Sequence, residues 1–190
     1  ECYLPGQNED EILFSTYLCH PSMANDNLSG VVTGVQLFKY LSKLKNRKYS
    51  YRLLIMPETI GAVTYLSNHI DTIKNIIGGF ILYCCGDSSE ITYKKSYSGD
   101  SYIDQVAKYA CEHYKENYDI IDYFPGGTDE RQYNAPGVRL PVGAVMRTPA
   151  GKFKEYHTSN DNLSVVDKDS LFDTFKFLSN IVGILETDKV

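Results

Sequence analysis

The sequence lacks tryptophan and any long apolar run, and it contains only four histidines. Its most apolar segment, IIGGFILYCC (76–85), is shorter than the roughly 18 residues that a membrane-spanning helix needs, and it includes two glycines. The opening residues, ECYLPGQNEDE, lack the basic start and apolar segment of a secretory signal. We therefore expect no association with a membrane.

The cysteines form no recognisable metal-binding or disulfide pattern. Five cysteines cannot all pair with one another, and no two of them stand in a C-x-x-C arrangement. We therefore expect reduced thiols in a cytoplasmic protein. The formal net charge of −5 argues against a nucleic-acid partner, because binding to phosphates needs a basic surface.

The chain does contain alternating apolar strands and amphipathic helices. The apolar spacing predicts strands at 11–19, 49–57, 78–85, 90–96 and 140–146, and helices at 29–44, 59–69, 101–117 and 169–185. Alternation of this kind predicts an α/β fold, with a mostly parallel or mixed sheet and helices on both faces. The segment 90–96 is expected at an edge of that sheet. Without a linker or repeat, residues 1–190 are expected to form a single domain.

Residues that could bind a metal follow the ends of several predicted strands, where ligand sites of open α/β sheets gather. They are His20, Asp26, Glu58, Asp87 and His157. Imidazole and carboxylate groups suit zinc or a similar divalent ion. Each residue also has a simpler interpretation. Asp26 and Glu58 fit the first turn of a helix, Asp87 fits an ordinary turn, and the histidines fit loops.

The segment FPGGTDERQY (124–133) combines a glycine-rich turn with charged and polar groups. Gly126 and Gly127 allow a ligand to approach the backbone, and Asp129 and Arg131 could bind a substrate terminus. A solvated helix start is the alternative. Neither the phosphate-loop spacing nor the dinucleotide-binding spacing is present.

In order along the chain, CHPSMANDNLSG, PETIG, TDERQ and EYHTSNDN resemble the co-catalytic zinc aminopeptidases and their relatives, the glutaminyl cyclases. The resemblance is greatest to an uncharacterised bacterial branch described as aminopeptidase-like, and it runs from about Glu11 to Leu163. It implies the zinc-exopeptidase fold, here without some N-terminal elements, and one or two zinc ions.

The resemblance also implies roles for individual residues. His20, Asp26 and His157 match zinc ligands, and Glu58 matches the general base. Asp87 becomes a further ligand only if its loop folds back toward the site.

The chain departs from the family at three positions. Thr59 and Tyr83 stand where the family has two further carboxylate ligands. Ser22 replaces the aspartate that orients the first histidine, so a backbone carbonyl or another carboxylate has to make that contact.

The resemblance implies a zinc-dependent hydrolase of the aminopeptidase type, with Asp129, Arg131, Gln132 and Tyr156 positioning the substrate. The expected substrate is a small peptide or an amide on a modified sugar, because the branch is often linked with surface-polysaccharide biosynthesis. A homo-oligomer is left open.

Two other functions remain as alternatives. One is a metal-containing binding module without hydrolytic activity, and a free Glu58 carboxylate would favour hydrolysis over it. The other is a cysteine hydrolase using Cys19 and His20, which is disfavoured because adjacent strand residues point to opposite faces.

Overall fold

The computed structural model describes residues 1–188, whose strands form one seven-stranded sheet. The strands are β1 (Cys2–Leu4), β2 (Glu11–Tyr17), β3 (Ser50–Met56), β4 (Ile76–Leu82), β5 (Ile91–Lys94), β6 (Tyr118–Ile121) and β7 (Val142–Met146). The helices are α1 (Gly30–Leu41), α2 (Ile60–Asn68), α3 (Tyr102–Tyr114), α4 (Glu130–Tyr133) and α5 (Lys168–Thr187).

The sheet is mixed, as the sequence predicts. Its strand order is β1-β3-β2-β4-β7-β5-β6. The pairs β3–β2, β2–β4, β4–β7 and β5–β6 are parallel, whereas β1–β3 and β7–β5 are antiparallel. Strands β3, β2, β4 and β7 are therefore mutually parallel, and the loops that follow them leave the same edge of the sheet.

Helices cover both faces of the sheet, which confirms the predicted layers. Ile12 and Phe14 of β2 pack in the cluster that includes apolar residues of α1, α3 and α5. Leu13, between them, packs in the opposite cluster with residues of α2 and α4. Alternation along a strand thus supplies both cores, and each fully buried side chain contributes about 1.5–3 kcal/mol.

Three short elements were not predicted from the sequence, namely β1, β6 and α4. Each has only three or four residues, so its hydrophobic period is hard to recognise, although β5, with four residues, was predicted. Strand β6 pairs with β5 and occupies the edge, so the expectation that 90–96 forms an edge strand is wrong. Helix α3 ends at Tyr114, earlier than predicted, because the chain soon enters β6.

The interior position of β5 buries a lysine. Lys94 is 3% exposed, and its Nζ lies 2.6 Å from Oε1 of the fully buried Glu130. The same carboxylate accepts hydrogen bonds from the backbone and hydroxyl of Thr128. This ion pair anchors the segment 126–130 against the sheet.

No helix within residues 1–188 is long and apolar enough to span a membrane.

Candidate metal centre

The turn between β2 and α1 places an aspartate inside the protein. Residues Ala24–Ser29 form an irregular helical turn, and the backbone at Asp26 has non-helical angles of φ −113° and ψ 80°. The carboxylate of Asp161 accepts hydrogen bonds from the backbone amides of Asn25 and Asp26, at 2.7 and 2.8 Å. The side chain of Asn27 donates to Thr16 Oγ1. These contacts hold the turn against the end of β2.

The two carboxylate oxygens of Asp26 have different surroundings. Asp26 is fully buried, and its Oδ1 accepts a 2.6 Å hydrogen bond from the hydroxyl of Tyr17. Its Oδ2 accepts no hydrogen bond from the part of the chain that the structure describes. Oδ2 lies 3.0 Å from His157 Nε2 and 3.3 Å from His20 Nδ1. A buried carboxylate oxygen without a partner is costly, so this group fits a bound cation.

The two histidines approach Asp26 from opposite ends of the chain. Their ring centroids are 4.7 Å apart, and the ring of Tyr156 stacks on His157 at 3.9 Å. The backbone carbonyl of Asp26 lies 3.2 Å from His20 Nδ1. This is the kind of orienting contact expected in place of the aspartate that Ser22 replaces.

Glu58 lies beside this cluster, after β3 and Pro57. Its Oε2 is 3.5 Å from His20 Nε2, and its side chain is 25% exposed. No backbone amide among residues 1–188 donates to its carboxylate, so the side chain is free to bind a ligand or a proton. Burial raises the pKa of Glu58 above its usual value, although the positive charge on a protonated His20 opposes this effect.

Asp129 supports the backbone beside Glu58. The amide of Thr59 donates a 2.6 Å hydrogen bond to Asp129 Oδ1. Thr59 has φ 61° and ψ −66°, a conformation that a β-branched residue rarely adopts and that costs about 1–3 kcal/mol. Asp129 is fully buried, its Oδ2 has no partner among the described residues, and burial raises its pKa to about 6.

Arg131 lies on the solvent side of the same segment. It lines a cleft of about 430 Å³ together with the aromatic rings of Tyr97, Tyr123 and Phe124. The guanidinium of Arg139 lies 4.5 Å from the ring centroid of Tyr97 at this cleft. Gln132 is half-buried on the short helix α4 and does not line the cleft.

Asp87 does not join the cluster. Its oxygens accept hydrogen bonds from Asn25 Nδ2, the amide of Ser89, and both the amide and the hydroxyl of Thr148. Burial opposes ionisation of Asp87, but these hydrogen bonds outweigh it and lower its pKa. The loop that carries Asp87 does not fold back toward the cluster. The Asp87 carboxylate instead links three loops through these hydrogen bonds. Tyr83, at the other replaced ligand position, is 2% exposed and stacks near Tyr17.

Sequence reasoning missed three residues at this site. Tyr17 lies in an apolar strand, where its hydroxyl gave no signal. Asp161 stands in the EYHTSNDN string, but nothing in the string reveals which amides it binds. Alternation along a strand argues against pairing Cys19 with His20. However, β2 ends at Tyr17, so neither residue lies in the strand. The Sγ of Cys19 accepts a 3.3 Å hydrogen bond from the Glu58 amide.

Comparisons with known proteins agree with this fold. The chain is 47% identical over 189 residues to a Clostridium acetobutylicum protein named "Putative polysaccharide biosynthesis protein with aminopeptidase-like domain", covering 100% of this chain and 43% of that protein. A crystal structure of a "putative peptidase" from the same organism superposes with a TM-score of 0.96 and 45% identity, covering 100% of this chain and 44% of that one. The chain thus spans less than half the length of these relatives.

A more distant structure identifies the fold. A zinc aminopeptidase from Bacillus subtilis superposes with a TM-score of 0.81 and 17% identity, covering 98% of this chain and 49% of that one. At this identity the likeness shows the fold alone, and it confirms the predicted aminopeptidase fold. A model of the family described as "Domain of unknown function (DUF4910)" matches residues 1–188. On this match, which covers nearly its whole length, the chain belongs to the DUF4910 family.

Proposed function

We propose that this chain is a zinc-dependent amide hydrolase of the aminopeptidase type. The observation that carries the proposal is the position of Asp26 Oδ2, a buried carboxylate oxygen that faces two histidines and accepts no hydrogen bond from residues 1–188. One ligand atom from each of His20, Asp26 and His157 lies within 4.8 Å of the others. Two imidazoles and one carboxylate form a donor set common in catalytic zinc sites.

The surroundings of Asp26 favour one ion at this centre. A carboxylate most often bridges two metals through both of its oxygens, and the hydroxyl of Tyr17 already donates a hydrogen bond to Asp26 Oδ1. Only Oδ2 is free. We infer that His20, Asp26 Oδ2 and His157 would hold a single zinc ion and leave a position open for substrate or water.

Glu58 is the proposed general base. When bound, zinc acts as a Lewis acid on an amide carbonyl and makes a water molecule more acidic. Glu58 takes one proton from the attacking water as the water oxygen bonds to the carbonyl carbon. It then delivers that proton to the amide nitrogen as the C–N bond breaks. The partly buried position of Glu58 suits this role, because a raised pKa makes the carboxylate a stronger base.

The cleft beside Arg131 is the proposed position for the rest of the substrate. Tyr97 is 51% exposed and Phe124 is 68% exposed, so flat apolar surfaces adjoin the guanidinium groups of Arg131 and Arg139. A sugar ring with an acidic substituent suits such a surface. The name of the Clostridium acetobutylicum relative refers to polysaccharide biosynthesis and supports an amide on a modified sugar over a peptide N-terminus. We propose that Tyr156, whose ring stacks on His157, contacts the reacting amide.

A binding module without hydrolytic activity is the second candidate. It is favoured by Thr59 and Tyr83, which stand where the aminopeptidases have two further ligands and which contribute no carboxylate here. The free carboxylate of Glu58 favours hydrolysis instead.

The test combines elemental analysis of the purified protein with a hydrolysis screen. The screen offers aminoacyl amides and N-acylated sugars, with and without a carboxylate or phosphate. About one equivalent of zinc and turnover of one substrate class would support the proposal. Zinc without turnover by either class would favour the binding module. A protein that takes up no zinc when the ion is supplied would exclude both.

A further inference from the structure

We propose that Cys19, His20 and Glu58 form a second metal position, which takes a thiophilic divalent ion such as Cd²⁺ or excess Zn²⁺. One ligand atom from each residue lies within 4.8 Å of the other two. The Glu58 amide donates to Cys19 Sγ at 3.3 Å, and Glu58 Oε2 lies 3.5 Å from His20 Nε2. The thiol, the imidazole and the carboxylate therefore already converge.

The orientation of His20 suits this position. Its Nδ1 lies 3.2 Å from the backbone carbonyl of Asp26. When Nδ1 carries the proton and donates it to that carbonyl, Nε2 presents its lone pair on the side of Glu58. Histidines that bind metals commonly donate their other ring N–H to a carbonyl in this way.

The chemistry of the donors sets the choice of ion. A thiolate favours zinc and softer ions over magnesium or manganese, whereas the Asp26 centre offers no sulfur. The ion enters from solvent, because Cys19 is exposed, and binding releases the thiol proton to the buffer. Cys2 is the other exposed cysteine of residues 1–188, and it belongs to neither ligand group, so it is the matched control.

The second position competes with the first. His20 belongs to both groups, and a neutral imidazole has one nitrogen with a free lone pair. An ion held by Cys19, His20 and Glu58 therefore removes a ligand from the Asp26 centre and engages the carboxylate that acts as base. The expectation that such binding inhibits hydrolysis rests on the proposed function. The existence of the second metal position does not depend on the proposed function.

The test measures cadmium binding rather than activity. Cd²⁺ is titrated into the purified, metal-free protein, and the near-ultraviolet charge-transfer absorption of a cadmium thiolate is recorded. We expect the absorption to saturate near one equivalent in the wild type and in Cys2→Ser. Cys19→Ser should abolish it, and Glu58→Gln should weaken cadmium binding at least about 10-fold. His157→Ala should leave it in place, because His157 is outside this group.

A second measurement needs no variant. The wild type is alkylated with iodoacetamide with and without Cd²⁺, and the modified peptides are quantified by mass spectrometry. Cadmium should protect Cys19 and leave Cys2 reactive. Absorption that survives in Cys19→Ser, or equal protection of both cysteines, would overturn the proposal. Absorption lost in His157→Ala would also overturn it, because Cys19 would then belong to the Asp26 centre. A protein that hydrolyses nothing but passes these tests would refute only the proposed function.

Discussion

Two buried aspartates in this protein each accept a hydrogen bond from a buried tyrosine, but the two carboxylates differ in the other hydrogen bonds that they accept. The hydroxyl of Tyr17 donates to Asp26 at 2.6 Å, and that of Tyr93 donates to Asp104 at 2.7 Å. The second oxygen of Asp26 accepts no hydrogen bond from the described part of the chain and faces two histidines. Both oxygens of Asp104 are occupied.

Asp104 serves the start of helix α3. Its oxygens accept hydrogen bonds from the amide and hydroxyl of Ser96 and from the amide and hydroxyl of Ser101. Ser101 also caps the helix by accepting from the Asp104 amide. Burial opposes ionisation of Asp104, but these hydrogen bonds outweigh it and lower its pKa. Burial alone therefore does not distinguish a structural carboxylate from a ligand. The hydrogen bonds at each oxygen do.

The largest expected effect comes from neutralising the unsatisfied carboxylate. Asp26→Asn should lower zinc affinity at least about 100-fold and remove hydrolysis, because it takes away the only anionic ligand of the proposed centre. Elemental analysis after dialysis measures the zinc. Asp104→Asn is the matched control, since it makes the same change at a buried carboxylate. Wild-type zinc content in Asp26→Asn would contradict its role as a ligand.

The next effect separates the base from the ligands. Glu58→Gln should lower kcat about 10²- to 10⁴-fold and leave the zinc content unchanged, because it removes the proton acceptor but none of the three ligands. Initial rates on the substrate identified by the screen measure it. Glu112→Gln, on the exposed side of α3, should behave as the wild type. Loss of zinc together with activity would instead make Glu58 a ligand.

Asp104, whose two carboxylate oxygens both accept hydrogen bonds, should contribute to the stability of the fold. Asp104→Asn should lower the free energy of unfolding by about 2–3 kcal/mol, because several hydrogen bonds to a buried charge are lost. Urea unfolding followed by circular dichroism measures this free energy. An unchanged midpoint would show that the network contributes nothing to stability.

The pH dependence of unfolding sharpens the same comparison. The pKa of Asp104 is lower in the folded protein than its unfolded value of about 3.9. Its stabilising contribution is therefore complete above that value and is lost as the pH falls through the folded pKa. The difference between the free energies of unfolding of the wild type and Asp104→Asn should be constant above about pH 5 and shrink as the pH falls from about 4 toward 2. A constant difference over this range would exclude ionisation of Asp104 as its source.

The smallest effect is expected at the aspartate that the structure keeps away from the centre. Asp87→Asn should leave zinc binding intact and lower the free energy of unfolding by about 1 kcal/mol, since it weakens a tie between loops. Elemental analysis and urea unfolding measure both quantities. A loss of zinc would mean that Asp87 reaches the metal after all.

Most of the fold followed from hydrophobic periods in the sequence. Five strands and four amphipathic helices were predicted within a few residues of their observed bounds. The elements β1, β6 and α4, of three or four residues each, were not predicted. The position of β5 also escaped prediction, since strand order depends on pairing between distant segments.

The sequence by itself determined the layers of the fold, the edge of the sheet where the candidate site lies, and four residues that meet there: His20, Asp26, Glu58 and His157. Only the tertiary structure decided that Asp87 stays outside the cluster, that Cys19 lies within it, and that one oxygen of Asp26 accepts no hydrogen bond from the described residues. The physical reason is that hydrogen bonds join residues that are close in space, even when these residues are far apart in the sequence. The amide of Asp26 is held by Asp161, 135 residues away along the chain, and no local pattern records that contact.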